Sequence, residues 1–259
     1  MEFRLRPARD HGLPAEERLR SLSRERGLGG LLLGSAWRMA LRGYLAAFHR
    51  LEVTGREHLP PPPFVLIANH CSHLDALTLS AVLRGEAARR AHALAAGDTF
   101  FGSALSSAFA AYAINALPVW RKRTRSGELA TLRERLVEDR LVYILFPEGT
   151  RARDGAMAPF QPGIGVLVAG TQVPVVPCFL EGCHAAWPPQ RRWPRPGRLR
   201  LAIGAPLGFA DLPPARAGWE EAARRCEAAV RALMPDGPGG VSPGVAAAGS
   251  PPPAAPSPR

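Results

Sequence analysis

The residues best suited to chemistry lie in the run Asn69-His70-Cys71-Ser72-His73-Leu74-Asp75. Histidine is the side chain whose ordinary pKa lets it take and return a proton near neutrality. Five residues on, Asp75 falls one turn into the helical pattern that follows. From there its carboxylate can fold back onto one ring nitrogen of His70 and leave the other free as a general base. The same residues also support a plainer arrangement. Ser72 and Asp75 fit the Ser-x-x-Asp box that caps a helix start, with His70 merely in the turn. His73 competes for the role of base, but Asp75 is only two positions from it and on a different helix face. His70 is the better placed of the two.

Three further segments offer groups for an anionic substrate. Leu117-Pro118-Val119-Trp120-Arg121 is followed by Lys122, Arg123 and Arg125, so a strand empties into four cations. Arginine and lysine there can cradle phosphate or carboxylate, although such runs also serve as solvated loops. In Phe146-Pro147-Glu148-Gly149-Thr150-Arg151 an apolar strand ends at a proline and presents Glu148 and Arg151 at its mouth. Gly149 permits a tight turn and close backbone approach to a ligand. Val173-Pro174-Val175-Val176-Pro177 brackets a buried strand with two prolines, which suits a sheet edge or a shaped pocket wall.

These segments need elements that bring them together. Phe64–Ala68 and Leu141–Phe146 are short, fully apolar runs of the kind buried in a parallel sheet. Weaker strands are predicted at 92–96, 117–120, 173–180 and 199–203. Helical patterns alternate with them at 72–84, 100–112, 125–139, 165–170 and 219–234. Strand–helix alternation of this kind specifies an α/β fold: a single domain with a mostly parallel central sheet flanked by helices. In such sheets ligands bind beyond the carboxyl ends of the strands, where His70 and Glu148 both fall.

Residues 1–27 read as a charged N-terminal segment and 28–50 as an amphipathic helix. Residues 51–234 read as the folded domain that holds the candidate site, and 235–259 as a disordered Pro/Ala/Gly tail too poor in large apolar side chains to bury a core. On a helix through 28–48, Trp37, Leu41, Tyr44 and Phe48 share one face, while Ser35, Arg38, Arg42 and His49 gather on another. That pattern suits a segment lying in a bilayer interface, and equally a helix packed on its own domain. Arg38 and Arg42 argue against a membrane span. No early apolar run suggests a secretory signal.

The 259 residues carry 33 basic and 22 acidic side chains, a net charge of +11, and Lys122 is the only lysine. Such an excess of arginine points to an anionic partner: nucleic acid, an anionic membrane surface or a phosphorylated small molecule. No helix-turn-helix, zinc-finger or aromatic RNA-binding signature accompanies it, which places nucleic acid last. Cys71, Cys178, Cys183 and Cys226 lack the spacing of a disulfide framework or a zinc site and read as reduced thiols.

Taken together, the four segments resemble the four blocks of the glycerolipid acyltransferases, in particular the 1-acyl-sn-glycerol-3-phosphate (lysophosphatidate) acyltransferase family. The first block, Asn-His-x-Ser-x-x-Asp, is matched at Asn69, His70, Ser72 and Asp75. The second is matched at Arg121, with Asn115 where glycine is usual. The third, Phe-Pro-Glu-Gly-Thr-Arg, is complete at 146–151, and the fourth lies at 173–177. Phe160-Gln161-Pro162-Gly163 resembles the family's Phe-Lys-x-Gly without its lysine.

The resemblance implies acyl transfer from acyl-CoA or acyl-carrier protein to the sn-2 hydroxyl of 1-acyl-sn-glycerol-3-phosphate. His70 and Asp75 would be catalytic. Asn69, Ser72, Arg121, Glu148, Gly149, Thr150 and Arg151 would bind substrate, with no metal and no cofactor. It also implies a lysophospholipid acceptor, an anionic membrane surface as partner, and a peripheral or monotopic position on the cytoplasmic side of the membrane. Another lysolipid acceptor, or a non-catalytic lipid-binding role, are the alternatives.

Overall fold

The computed structural model describes residues 12–14, 17, 21–22, 28–96, 115–119 and 126–235. Its centre is the strand β2 (Phe64–Ala68), in which every side chain is fully buried. Alternation along it divides the core: Phe64, Leu66 and Ala68 face one layer, Val65 and Ile67 the other. A strand covered on both faces must be apolar throughout, as this one is.

Six further strands build the sheet around it: β1 (Glu52–Thr54), β3 (Ala91–Ala96), β4 (Leu117–Val119), β5 (Val142–Leu145), β6 (Val175–Glu181) and β7 (Arg200–Ile203). Their order is β1-β7-β6-β2-β5-β3-β4, and every neighbouring pair is parallel except β6–β7. The α/β class and the mostly parallel sheet are as expected. The helix predicted at 100–112 lies outside the described residues, as does nearly all of 1–27 and of the C-terminal tail.

Helices cover both faces. On one side are α1 (Leu28–His49), α2 (Asp75–Val82), α3 (Gly85–Arg90) and the short α6 (Cys183–Ala186). On the other are α4 (Ser126–Glu138), α5 (Gly163–Val168) and α7 (Arg216–Arg231). A Cβ at Gly165 would lie 2.3 Å from the Trp219 Cα, so only glycine lets α5 approach α7 this closely.

One reading needs correction, and one left open gains detail. The strand with two prolines is no edge: β6 is paired on both sides, by β2 and β7. Pro177 is tolerated because the β7 ladder ends there. Gly204 donates its N–H to the Pro177 carbonyl at 2.8 Å, and no bond need return. Between the Cys178–Ile203 and Val175–Leu207 pairings the β7 side carries one extra residue, a bulge of the kind that accommodates proline.

The reading left open concerns α1. Its packed side contains Arg38, Leu41, Leu45 and His49, so the basic edge faces inward. Arg42, half-buried, reaches the carbonyls of Ala81 and Leu83 at 2.7 Å each. Outward point Leu32, Leu33, Trp37, Met39 and Phe48. Among the described residues no helix is long and apolar enough to cross a membrane.

Candidate active site

Parallel register fixes the site. Ile67 of β2 stands opposite Leu145 of β5, so the loops that leave the carboxyl ends of these neighbouring strands emerge side by side. One carries His70 and the other Glu148. Backbone bonds lock them: Glu148 Oε1 accepts the His70 N–H at 2.6 Å, and the Ala152 N–H donates to the His70 carbonyl at 2.8 Å.

Within the first loop, Asp75 is the hub. It opens α2 and is fully buried. Its Oδ2 accepts from His70 Nδ1 at 2.8 Å, from the Cys71 N–H at 2.7 Å and from the Ser72 N–H at 2.8 Å. Of the two arrangements open on sequence the imidazole clamp forms in full, whereas only half of the capping box does. Asp75 accepts the Ser72 N–H, but Ser72 Oγ accepts from Leu74, which itself precedes the helix without a side-chain cap. Because Nδ1 faces a carboxylate, it carries the proton, and Nε2 holds the open lone pair. The His70 ring stacks on Phe146, centroids 4.0 Å apart and planes 15° from parallel, and its side chain is 17% exposed. Phe146 thus walls one face of the imidazole, a role its place in the motif alone does not reveal.

Three of the expected substrate-binding residues turn inward. Asn69 is buried and grips the Leu180 backbone of β6 twice: Nδ2 donates to the carbonyl at 3.0 Å, and Oδ1 accepts the N–H at 2.8 Å. Ser72 Oγ donates to the Trp187 carbonyl at 2.8 Å and accepts the Leu74 N–H at 3.0 Å. Glu148 has both carboxylate oxygens occupied, by the His70 and Ala158 N–H groups. Burial raises its pKa, and those two bonds pull it back. With their polar atoms spent on backbone, these three hold the loops rather than face the mouth.

The mouth belongs to Gly149, Thr150 and Arg151. Gly149 has φ +75°, a left-handed turn closed by its N–H to the Phe146 carbonyl at 3.0 Å, and Thr150 is exposed. The Gln161 side chain lies against this turn. Arg151 is half-buried and, among the described residues, pairs with no carboxylate, which leaves its positive charge for a ligand. Burial lowers its pKa, and Asp75 partly offsets this. Its Nη1 lies 2.8 Å from His73 Nδ1. Arg121 lies outside the described residues.

Asn115 explains its own departure from glycine. Its φ is +51°, in the left-handed region, and asparagine is among the few other residues that enter it readily. Its Nδ2 donates to the Ala91 carbonyl at 2.7 Å. Cysteine is no rival nucleophile here. The Cys71 thiol, nearest the loop, is pushed up to about 12 by burial and by the charges of Asp75 and Glu148, and so stays protonated.

A histidine clamped by a buried carboxylate, at the carboxyl end of a parallel sheet and near an arginine that pairs with no carboxylate among the described residues, suits proton abstraction from a hydroxyl on an anionic substrate. Residues 50–181 match the Acyltransferase family, and the chain belongs to it. It is 30% identical over 169 residues to 1-acyl-sn-glycerol-3-phosphate acyltransferase alpha of Mus musculus, covering 64% of this chain and 57% of that protein. It is 39% identical over 79 residues to 1-acyl-sn-glycerol-3-phosphate acyltransferase of Limnanthes douglasii, covering 30% of this chain and 25% of that one. The chain thus spans only part of the length of these relatives. In fold it is similar to the 1-acyl-sn-glycerophosphate (LPA) acyltransferase PlsC from Thermotoga maritima. The TM-score is 0.59 at 21% identity, over 78% of this chain and 77% of that one.

Proposed function

We propose that this protein transfers a fatty acyl group from a thioester, acyl-CoA or acyl-carrier protein, to the sn-2 hydroxyl of 1-acyl-sn-glycerol-3-phosphate, giving phosphatidic acid for phospholipid synthesis. The observation that carries this reading is the His70 Nδ1–Asp75 Oδ2 bond of 2.8 Å, which leaves Nε2 open beside the mouth. His70 Nε2 takes the proton of the acceptor hydroxyl as its oxygen attacks the thioester carbonyl. The new C–O bond forms, the C–S bond breaks, and the imidazolium returns its proton to the departing thiolate. Asp75 holds the tautomer and stabilises the charged ring in between.

Arg151, with Arg121, receives the acceptor's phosphate, and Gly149 and Thr150 shape the space for its glycerol. The reaction as written calls on no metal or bound cofactor, because the acyl donor is a substrate. The outward apolar side chains of α1 support a peripheral or monotopic position at the cytoplasmic face of the membrane, on an anionic lipid surface.

The test is thiol release from acyl-CoA by the purified full chain, with products identified by mass spectrometry across a panel of lysolipids. Lysophosphatidate should be the preferred acceptor, and His70→Ala should lower turnover by about 10²–10⁴-fold while the chain still folds. Turnover that survives this substitution, or an acceptor preference indifferent to phosphate, would overturn the reading.

A further inference from the structure

We propose that His73 is a positioning residue: its imidazole is the flat platform that holds the Arg151 guanidinium at the mouth of the site. The proposal rests on the reading that Arg151 receives the acceptor's phosphate, and it adds what aims that arginine.

One guanidinium nitrogen stands over the imidazole rather than at its edge. Arg151 Nη1 lies 2.8 Å from His73 Nδ1 and 3.4 Å from His73 Nε2. A nitrogen in the ring plane on the Nδ1 lone-pair axis would stand much farther from Nε2, so the guanidinium nitrogen sits over the ring face. Planar guanidinium groups favour such faces. Trp187 lies against the same imidazole, centroids 5.0 Å apart and planes 46° from parallel. The ring cannot swing away. His73 donates its backbone N–H to the Trp187 carbonyl at 3.2 Å, and Nε2 approaches the Pro189 carbonyl at 3.3 Å.

The Nε2 contact identifies the tautomer. Facing a carbonyl, Nε2 carries the hydrogen, so the neutral ring presents a π face to the cation with no opposing charge. Burial, with Arg151 adding to it, lowers the pKa of His73 and favours that neutral form. A second consequence follows from chain order. His70 and His73 share one loop, so the group that takes the proton and the group that aims the phosphate-binding arginine are fixed to each other. Ser72, between them, ties that loop to Trp187.

The experiment compares His73→Ala and His73→Phe in the full chain, with KM for lysophosphatidate, KM for the acyl donor and kcat measured separately. His73→Ala should raise the acceptor KM about 5–20-fold, in line with a cation–π contact and an arginine left mobile. The donor KM should hold and kcat should fall far less. His73→Phe, which keeps the flat ring but no ring nitrogen, should restore most of the acceptor KM.

Three results overturn the proposal: an unchanged acceptor KM in His73→Ala, a parallel loss in kcat, or His73→Phe as poor as alanine. Arg151→Gln separates this from the parent reading. If it leaves the acceptor KM unchanged, the phosphate role of Arg151 fails. If it raises that KM while His73→Ala does not, only the platform fails.

Discussion

The two ends of α2 are both closed by charge, with opposite signs. At the amino end the Asp75 carboxylate gathers the Cys71 and Ser72 N–H groups. At the carboxyl end Arg42 donates to the Ala81 and Leu83 carbonyls, and Arg56 to the Val82 carbonyl at 3.1 Å. Each charge suits the helix dipole at its own end. The arginines also satisfy carbonyls left unpaired at the carboxyl end, whereas Asp75 binds N–H groups of the loop that precedes the helix. The difference lies in what remains open. Asp75 Oδ2 also holds His70 by Nδ1, so its Nε2 stays available as a base. The arginines end on carbonyls, and nothing reactive stands behind them. One device, used twice, therefore does chemistry at one end and bracing at the other.

That distinction can be broken by mutation, beginning where the effect is largest. Asp75→Asn removes the charge that favours the imidazolium and should lower kcat by about 10²–10⁴-fold, measured by thiol release. Stability should fall by less than the activity loss would suggest, since the amide oxygen can still accept from the loop. At the other end the balance should reverse. Arg42→Ala frees two carbonyls in a half-buried seam and should cost about 1–3 kcal/mol in urea unfolding. Its kcat/KM at a temperature where it is folded should stay close to wild type. An Arg42→Ala enzyme that is stable but as inactive as Asp75→Asn would mean that the carboxyl end also serves the chemistry.

The helix that supplies Arg42 has a second side to test. Leu32→Ser with Leu33→Ser alters only its outward face. The pair should reduce flotation with phospholipid vesicles several-fold, yet shift unfolding by only about 0.5 kcal/mol per site, as exposed positions do. Unchanged flotation would leave α1 as a brace alone.

How much of this was legible in the sequence depends on where the polar atoms go. β2 and β5 were plain because both faces are buried and their residues are uniformly apolar. His70 and Asp75 were legible because a five-residue spacing across a strand-to-helix turn puts carboxylate and imidazole in reach. Asn69, Ser72 and Glu148 were placed at the substrate by the resemblance of their blocks to the acyltransferases, and a motif does not show which way its polar atoms point. Their actual partners are the Leu180, Trp187 and Ala158 backbone, and Leu180 and Trp187 lie more than a hundred residues away from Asn69 and Ser72 in sequence. Pro177 misled for a related reason: a proline forbids a donor, and only the register shows that none is needed there. The inward basic edge of α1 was hidden because its carbonyl partners belong to α2.

The smallest effect concerns the residue that ends α1. His49 is fully buried, with Nε2 3.0 Å from the Tyr44 hydroxyl, and burial lowers its pKa while a backbone bond near Gly197 partly offsets this. The neutral ring is therefore favoured in the folded chain. Its contribution to stability is fully present above the unfolded histidine pKa of about 6.5 and is lost as pH falls through the lower folded value. His73 has the same sign. The melting temperature should thus decline between pH 7.5 and 5, and His49→Gln should flatten part of that decline. Arg42→Ala, by contrast, should lower the melting temperature at every pH, because it leaves two carbonyls without a partner. A decline in wild type that is untouched by His49→Gln would remove α1 from the acid response and leave His73, at the amino end of α2, to account for it.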